Sequence, residues 1–244
     1  MNGLRIAMWS GPRNISTAMM RAWENREDCV VSDEPLYAAY LAATGLDHPG
    51  RDEVIADGET DWRKVVTAMT GPIPGGRVVW YQKHMSHHLL PDMPVDWVFG
   101  LRNVFLIRDP SEVVTSYLKS RATVSPDDIG LPQQGRLFDR LCDRLGEAPP
   151  VIDAGDFLQA PGPHLRALCT RLGIPYSDRM LSWPAGPRDS DGIWAPYWYD
   201  AVWKSTGFEP WRARETRLTG DALAVAEACR PVYERLRAHR MTVA

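Results

Sequence analysis

Four short runs rich in β-branched and aromatic residues, each closed by turn-forming residues, dominate what this chain can fold into: LRIAMW (4–9), CVVS (29–32), VVWYQK (78–83) and VFLIR (104–108). PVIDA (150–154) is a fifth candidate. Near-continuous apolar strands of this length are what a parallel sheet buried on both faces requires. Helical patterns fill the spaces between them, over 14–25, 35–44, 61–70, 111–121, 135–146, 163–172 and 220–239. Pro231 is expected to kink or interrupt the last of these. The alternation predicts an α/β protein, a three-layer sandwich on a central parallel sheet with strand 4–9 in the middle. Residues 45–60 and 122–134, rich in Gly, Pro and Asp, are expected as loops. No repeat or low-complexity linker divides the 244 residues, so 1–244 is read as a single domain.

The formal net charge is −3, so an anion site has to be local and no nucleic-acid partner is expected. Cys29, Cys142, Cys169 and Cys229 form no CxxC pair, the pattern of reduced thiols rather than of a zinc site or a disulfide framework. No apolar run approaches membrane-spanning length and no leader precedes the first strand. The expectation is a cytoplasmic protein with no membrane partner.

Two strand ends carry the chemistry. After strand 4–9 comes GPRNISTA, a loop leading into a helix. Such a junction aims free N–H groups and the positive end of the helix dipole at one point. Arg13 adds a full charge, and Ser16 and Thr17 add hydroxyls. The lysine of a nucleoside-triphosphate loop, G-x-x-x-x-G-K-[ST], is missing. Without a ligand, the same residues make a Gly-Pro turn and a helix cap. The second junction, FLIRDPSEVVTSYLK, puts Arg108 at the carboxyl edge of the sheet, where open α/β folds bind ligands. Ser116 follows two helical turns later. Its plainer reading is an Asp109-Pro110 helix start with Arg108 paired to a carboxylate.

Together the two junctions resemble the sulfotransferases that use 3′-phosphoadenosine 5′-phosphosulfate (PAPS). GPRNIST is similar to that family's 5′-phosphosulfate loop, P-[KR]-S-G-T-T, and RDPSEVVTS to its 3′-phosphate element, R-[DN]-P-x-x-x-x-x-S. The segment VIDAGDFLQAPGPHLRALCTRLGIPY resembles the family's later turn, helix and LGI. The resemblance implies a P-loop nucleotide-hydrolase-like sulfotransferase fold, with PAPS as co-substrate and no metal. It assigns Arg13, Asn14, Ser16 and Thr17 to the phosphosulfate, and Arg108 with Ser116 to the 3′-phosphate. Ile15 stands where the family has glycine, so a negative φ is expected there, and Ala18 stands where many members have an adenine-stacking tryptophan. A sulfuryl group carries less charge than a γ-phosphoryl and transfers without magnesium, so a loop lacking the lysine is adequate.

Two segments compete to supply the base. Strand 78–83 ends in Lys83-His84, with His87 and His88 within the next turn. Many sulfotransferases carry K-x-H here, with histidine as base and lysine near the sulfuryl group. The rival is Glu34 after the second strand, similar in context to the P-x-E of bacterial carbohydrate sulfotransferases; it could equally cap a helix begun at Pro35. A metal reading of the histidines lacks a nearby carboxylate or cysteine. Seven aromatics between 194 and 211 either pack the core or cover nucleotide and acceptor, and Lys204 is a further candidate for the 3′-phosphate. The resulting expectation is sulfuryl transfer to a hydroxyl or amine of a small molecule. The alternatives are a nucleotide-binding protein without transfer activity and a small-molecule kinase with a degenerate loop.

Overall fold

The computed structural model describes residues 3–212 and 216–243. Its strands are β1 (Leu4–Ser10), β2 (Cys29–Asp33), β3 (Val79–Met85), β4 (Arg102–Ile107) and β5 (Val151–Asp153). The helices are α1 (Ser16–Glu24), α2 (Tyr37–Thr44), α3 (Arg51–Asp57), α4 (Trp62–Thr70), α5 (Pro110–Tyr117), α6 (Pro126–Ile129), α7 (Leu131–Leu145), α8 (Ala154–Gln159), α9 (Pro161–Leu172), α10 (Ala195–Trp198), α11 (Asp200–Trp203) and α12 (Gly220–Arg237).

All five strands join one parallel sheet in the order β2-β3-β1-β4-β5, with β1 central as the sequence predicts. Alternation along the strands feeds two cores. Ala7, Trp9, Phe105 and Ile107 face α5, α7 and α12, whose buried residues include Val114, Phe138 and Leu236. Ile6, Met8, Val104 and Leu106 face α1 and α9 through Met19, Trp23, Leu165 and Leu168. Helices therefore cover both faces, which is the three-layer α/β sandwich.

Three local expectations are corrected. Segment 45–60 contains α3, started by Gly50 at φ 72° and with Asp52 and Glu53 in its first turn, where they suit the helix dipole. Segment 122–134 contains α6, whose Ser125 and Asp128 form a reciprocal capping box around Pro126, and the start of α7. The last helix runs through Pro231 without ending there. Burial of Ala226, Cys229, Tyr233 and Leu236 holds it on the core, outweighing an interior proline's cost of about 3 kcal/mol.

Among the described residues no helix is long and apolar enough to cross a membrane, and no group of three or more His, Cys, Asp or Glu is arranged to hold a metal ion.

Candidate active site

Because β1, β3 and β4 lie side by side and parallel, their carboxyl ends open on one edge of the sheet. A cavity of about 300 Å³ lies there, lined by Arg13, Asn14, Ser16, Thr17, Glu34, Lys83, His87, Arg108 and Ser116, among others. Nine of the eleven residues singled out from the sequence thus share one site. His84 and Lys204 do not line it.

One end of the cavity is built from the two strand–helix junctions. The Asn14 amide donates to the Leu106 carbonyl (2.6 Å), and Arg108 donates to the Arg13 carbonyl (2.9 Å), which ties the first loop to β4 and its exit. Held this way, Arg13 sits at φ 58° and Ile15 at φ 50°. The expected negative φ at Ile15 is therefore wrong: a β-branched residue occupies the left-handed region, a strain on the order of 1–3 kcal/mol that only anchored neighbours sustain. Helix α1 begins with no side-chain cap and no acid in its first turn, so its N–H groups are left for the cavity. Arg13 Nε donates to Ser116 Oγ (3.0 Å). The Arg108 guanidinium grips Glu112 (2.7 and 2.8 Å), the carboxylate pairing its sequence context allowed. Burial, and then the neighbouring charge of Arg108, pull the Arg13 pKa below its ordinary value.

The opposite end centres on Lys83. Successive strand residues point to opposite faces, so Lys83 enters the cavity and His84 cannot follow it. The His84 ring stacks on Trp9 at 4.5 Å, meets Gln82 at 3.2 Å and is lowered by burial to about 3. Lys83 Nζ donates to Asp33 Oδ1 (2.8 Å), Glu34 Oε1 (2.7 Å) and the Tyr199 hydroxyl (2.5 Å). Burial alone would lower its pKa, but the carboxylates of Asp33 and Glu34 outweigh that, and Lys83 stays an ammonium. Burial pushes the Glu34 carboxyl up, with Lys83 opposing. Glu34 itself stands at φ 41°, and together with Arg13 and Ile15 it completes the set of non-glycine residues at positive φ among the described residues. All three line this cavity.

His87 lines the wall with its Nδ1 buried and unpartnered beside Gly130, and burial lowers it to about 3. His88 stacks against Tyr37 (4.9 Å) and Tyr40 (4.7 Å), and His48 Nδ1 lies 2.9 Å from the Tyr37 hydroxyl. Sequence reasoning missed the parts played by Asp33, Tyr37, His48 and Tyr199. Asp33 stands next to Glu34 and could have been found; nothing local marks Tyr199.

The aromatic segment both covers the site and packs a core: Trp194, Trp198 and Tyr199 line the cavity, and Trp194 and Tyr199 are also buried in a core with Tyr37 and Leu41. Lys204 instead pairs with Asp200 on the exposed side of α11 (2.8 Å). The cover is fastened to α1 through Asp191, which accepts two hydrogen bonds from buried Arg21 (2.5 and 2.7 Å) and one from Trp203 Nε1 (2.9 Å). Arg21→Ala would leave Asp191, 4% exposed, without its cation. Removing one partner of a buried pair costs about 3–5 kcal/mol. The Tm is expected to fall by about 6–20 °C in a calorimetric scan; a change within about 2 °C would mean the fastening carries no stability.

Two solved structures share this architecture. A sulfotransferase domain from the curacin biosynthetic pathway superposes with a TM-score of 0.54 at 15% identity, covering 93% of this chain and 97% of that one. A sulfotransferase from Alicyclobacillus acidocaldarius gives 0.55 at 13% identity, covering 98% and 97%. At these identities the likeness shows the fold. Branched-chain-amino-acid aminotransferase-like proteins 2 and 1 of Arabidopsis thaliana are each 37% identical over 96% of this chain. The chain spans only 41% and 42% of their lengths, so those names describe proteins more than twice as long. The family model for the sulfotransferase domain matches residues 4–240, the same stretch that builds the sheet and its cavity, and the chain belongs to that family.

Proposed function

We propose that the protein transfers a sulfuryl group from PAPS to a hydroxyl or amine of a small molecule. One observation carries this reading: two arginines from separate strand–helix junctions converge, Arg13 on Ser116 and Arg108 on the Arg13 carbonyl, and Glu112 pairs with Arg108. Guanidiniums brought together against their repulsion call for an anion. Arg108 spends Nε and one N–H of each terminal nitrogen on Glu112 and Arg13, which leaves two N–H donors for a phosphate. The 3′-phosphate belongs here, on Arg108 and Ser116, and Arg13, expected at the phosphosulfate, joins them through its bond to Ser116. The phosphosulfate belongs at the start of α1, on Ser16 and Thr17, with its sulfuryl group toward Lys83.

In the transfer, the acceptor's oxygen or nitrogen forms a bond to sulfur as the bond from sulfur to the bridging phosphate oxygen breaks, and 3′,5′-ADP leaves. Glu34 takes the acceptor's proton, since a carboxyl raised toward neutrality by burial suits a base working at neutral pH. Lys83 stabilises the negative charge that grows on the departing phosphate. The histidines have weaker claims. His84 faces away, and His87 is too weakly basic at about 3.

Calorimetric titration tests the nucleotide. Each charge-assisted hydrogen bond contributes about 1.5–3 kcal/mol, so 3′,5′-ADP is expected to bind about ten- to a hundredfold more tightly than 5′-ADP without magnesium. Arg108→Ala is expected to erase most of that preference and to leave 5′-ADP binding nearly unchanged. Equal affinities for the two nucleotides, or tighter binding of ATP with magnesium, would overturn the PAPS reading.

A further inference from the structure

An ammonium has three N–H donors, and Lys83 spends all three on protein: Asp33, Glu34 and Tyr199. As it stands, Lys83 has nothing to offer a departing phosphate. The three partners differ in how firmly they are held. Asp33 is 2% exposed, and its second oxygen accepts from the Tyr199 hydroxyl (2.7 Å) and the Gly192 N–H (3.2 Å). Tyr199 is buried and meets Trp194 Nε1 at 3.3 Å, and its ring lies under the Lys83 ammonium at 4.8 Å. Asp33, Tyr199 and Lys83 thus close a ring of hydrogen bonds between β2, β3 and α10–α11. Glu34 lies outside that ring. It lines the cavity, its side chain is 11% exposed, and its backbone is held at φ 41°.

We propose that Asp33 and Tyr199 are positioning residues that clamp Lys83, and that Glu34 is its exchangeable partner. Proton transfer from the acceptor to Glu34 then frees one Lys83 N–H to turn toward the bridging phosphate oxygen. The proton lost by the nucleophile and the charge gained by the leaving group are coupled through one nitrogen. The inference rests on the roles given to Glu34 and Lys83 in the proposed transfer. The other titratable groups around the pair are Tyr81 on β3, His88 on the turn after it and Tyr37 on α2. All three are neutral at neutral pH: burial raises the tyrosines and lowers the histidine.

The test compares wild type with Lys83→Ala, Asp33→Asn and Tyr199→Phe. Release of 3′,5′-ADP from labelled PAPS is followed over a panel of simple alcohols, phenols and amines, and 3′,5′-ADP affinity is measured on the same proteins. Lysine 13Cε shifts are titrated by NMR, with the Lys83 signal assigned from its loss in Lys83→Ala; the chain has only four lysines. Tyr199→Phe is expected to lower kcat about ten- to a hundredfold, the worth of one hydrogen bond to a charged group, with 3′,5′-ADP affinity kept within about twofold. Asp33→Asn is expected to bring the Lys83 titration down by at least about one pH unit and to create a basic limb in kcat that wild type lacks. If Asp33→Asn does not fold, Tyr199→Phe decides alone through its split between kcat and affinity. Unchanged kcat in Tyr199→Phe, or an unmoved Lys83 titration in Asp33→Asn, overturns the clamp. Full turnover in Lys83→Ala would instead overturn the role of Lys83 in the proposed transfer. Loss of the preference for 3′,5′-ADP would overturn the PAPS reading, so the three failures are distinguishable.

Discussion

Glu34→Gln lowers kcat about 10²–10⁴-fold, the worth of a positioned general base, and leaves the affinity for 3′,5′-ADP within about twofold. The substitution keeps the shape and one acceptor oxygen for Lys83, so the fold and the nucleotide end are undisturbed. The pH profile sharpens the test. Glu34 has to be ionised to accept the proton, and burial raises its pKa above the ordinary glutamate value, with Lys83 opposing. Wild-type kcat is therefore expected to fall as pH drops through that raised value, on an acid limb above the usual carboxylate range. In Glu34→Gln the limb disappears together with the rate. Residual activity that keeps the wild-type acid limb would assign the base to another group.

Acidification is expected to destabilise the protein progressively below about pH 6.5. Burial holds His84 and His87 neutral with pKa values near 3, against about 6.5 in an unfolded chain. The unfolded chain takes up these protons first, so the stability from each histidine is fully present above pH 6.5. It falls by about 1.4 kcal/mol per pH unit below that, until the folded protein also titrates. At pH 4.5 the two together remove roughly 5 kcal/mol, comparable with the whole stability of many domains. His88, also lowered by burial, acts in the same direction. Glu34, with its raised pKa, acts in the opposite one, since its contribution is greatest at low pH and is lost as pH rises. Denaturant titrations at pH 7, 5.5 and 4.5 measure the slope. His84→Gln is expected to reduce it by about one proton, and a wild-type loss below about 1 kcal/mol by pH 4.5 would contradict the buried neutral state.

The sheet was legible because each strand is a short apolar run with its own turn signals, and parallel burial leaves few other uses for such runs. The end of the cavity that holds Arg13 and Arg108 was legible for a related reason. Arg13 and Arg108 each sit at a strand end, and the carboxyl ends of parallel strands must meet at one edge. What local patterns could not supply was long-range partnership. Tyr199 reaches Asp33 across 166 residues, and no spacing in the sequence announces it. Ile15 escaped for a different reason. Its own preference opposes the left-handed backbone, and long-range ties at the two residues before it, Arg13 and Asn14, hold the loop there. The exclusion of His84 was available from the start. Lys83 and His84 are neighbours on a strand, and the two-residue period of the pleat puts them on opposite faces.

The distance in sequence between the two halves of the Lys83 clamp also sets when the site comes into being. Asp33–Tyr199 and Arg21–Asp191 close across 166 and 170 residues. At synthesis rates of about 5–20 residues per second, Tyr199 emerges roughly 6–23 s after Lys83. Arg13 and Arg108 are synthesised well before that, although the helix after Arg108 still awaits Arg230 of α12, which binds Asp109 and Ser111. The ammonium and the carboxylates it will neutralise wait in water for the cover to arrive. On the proposed assignment, the residues that hold the anion are therefore made before the cover that completes the group acting on it.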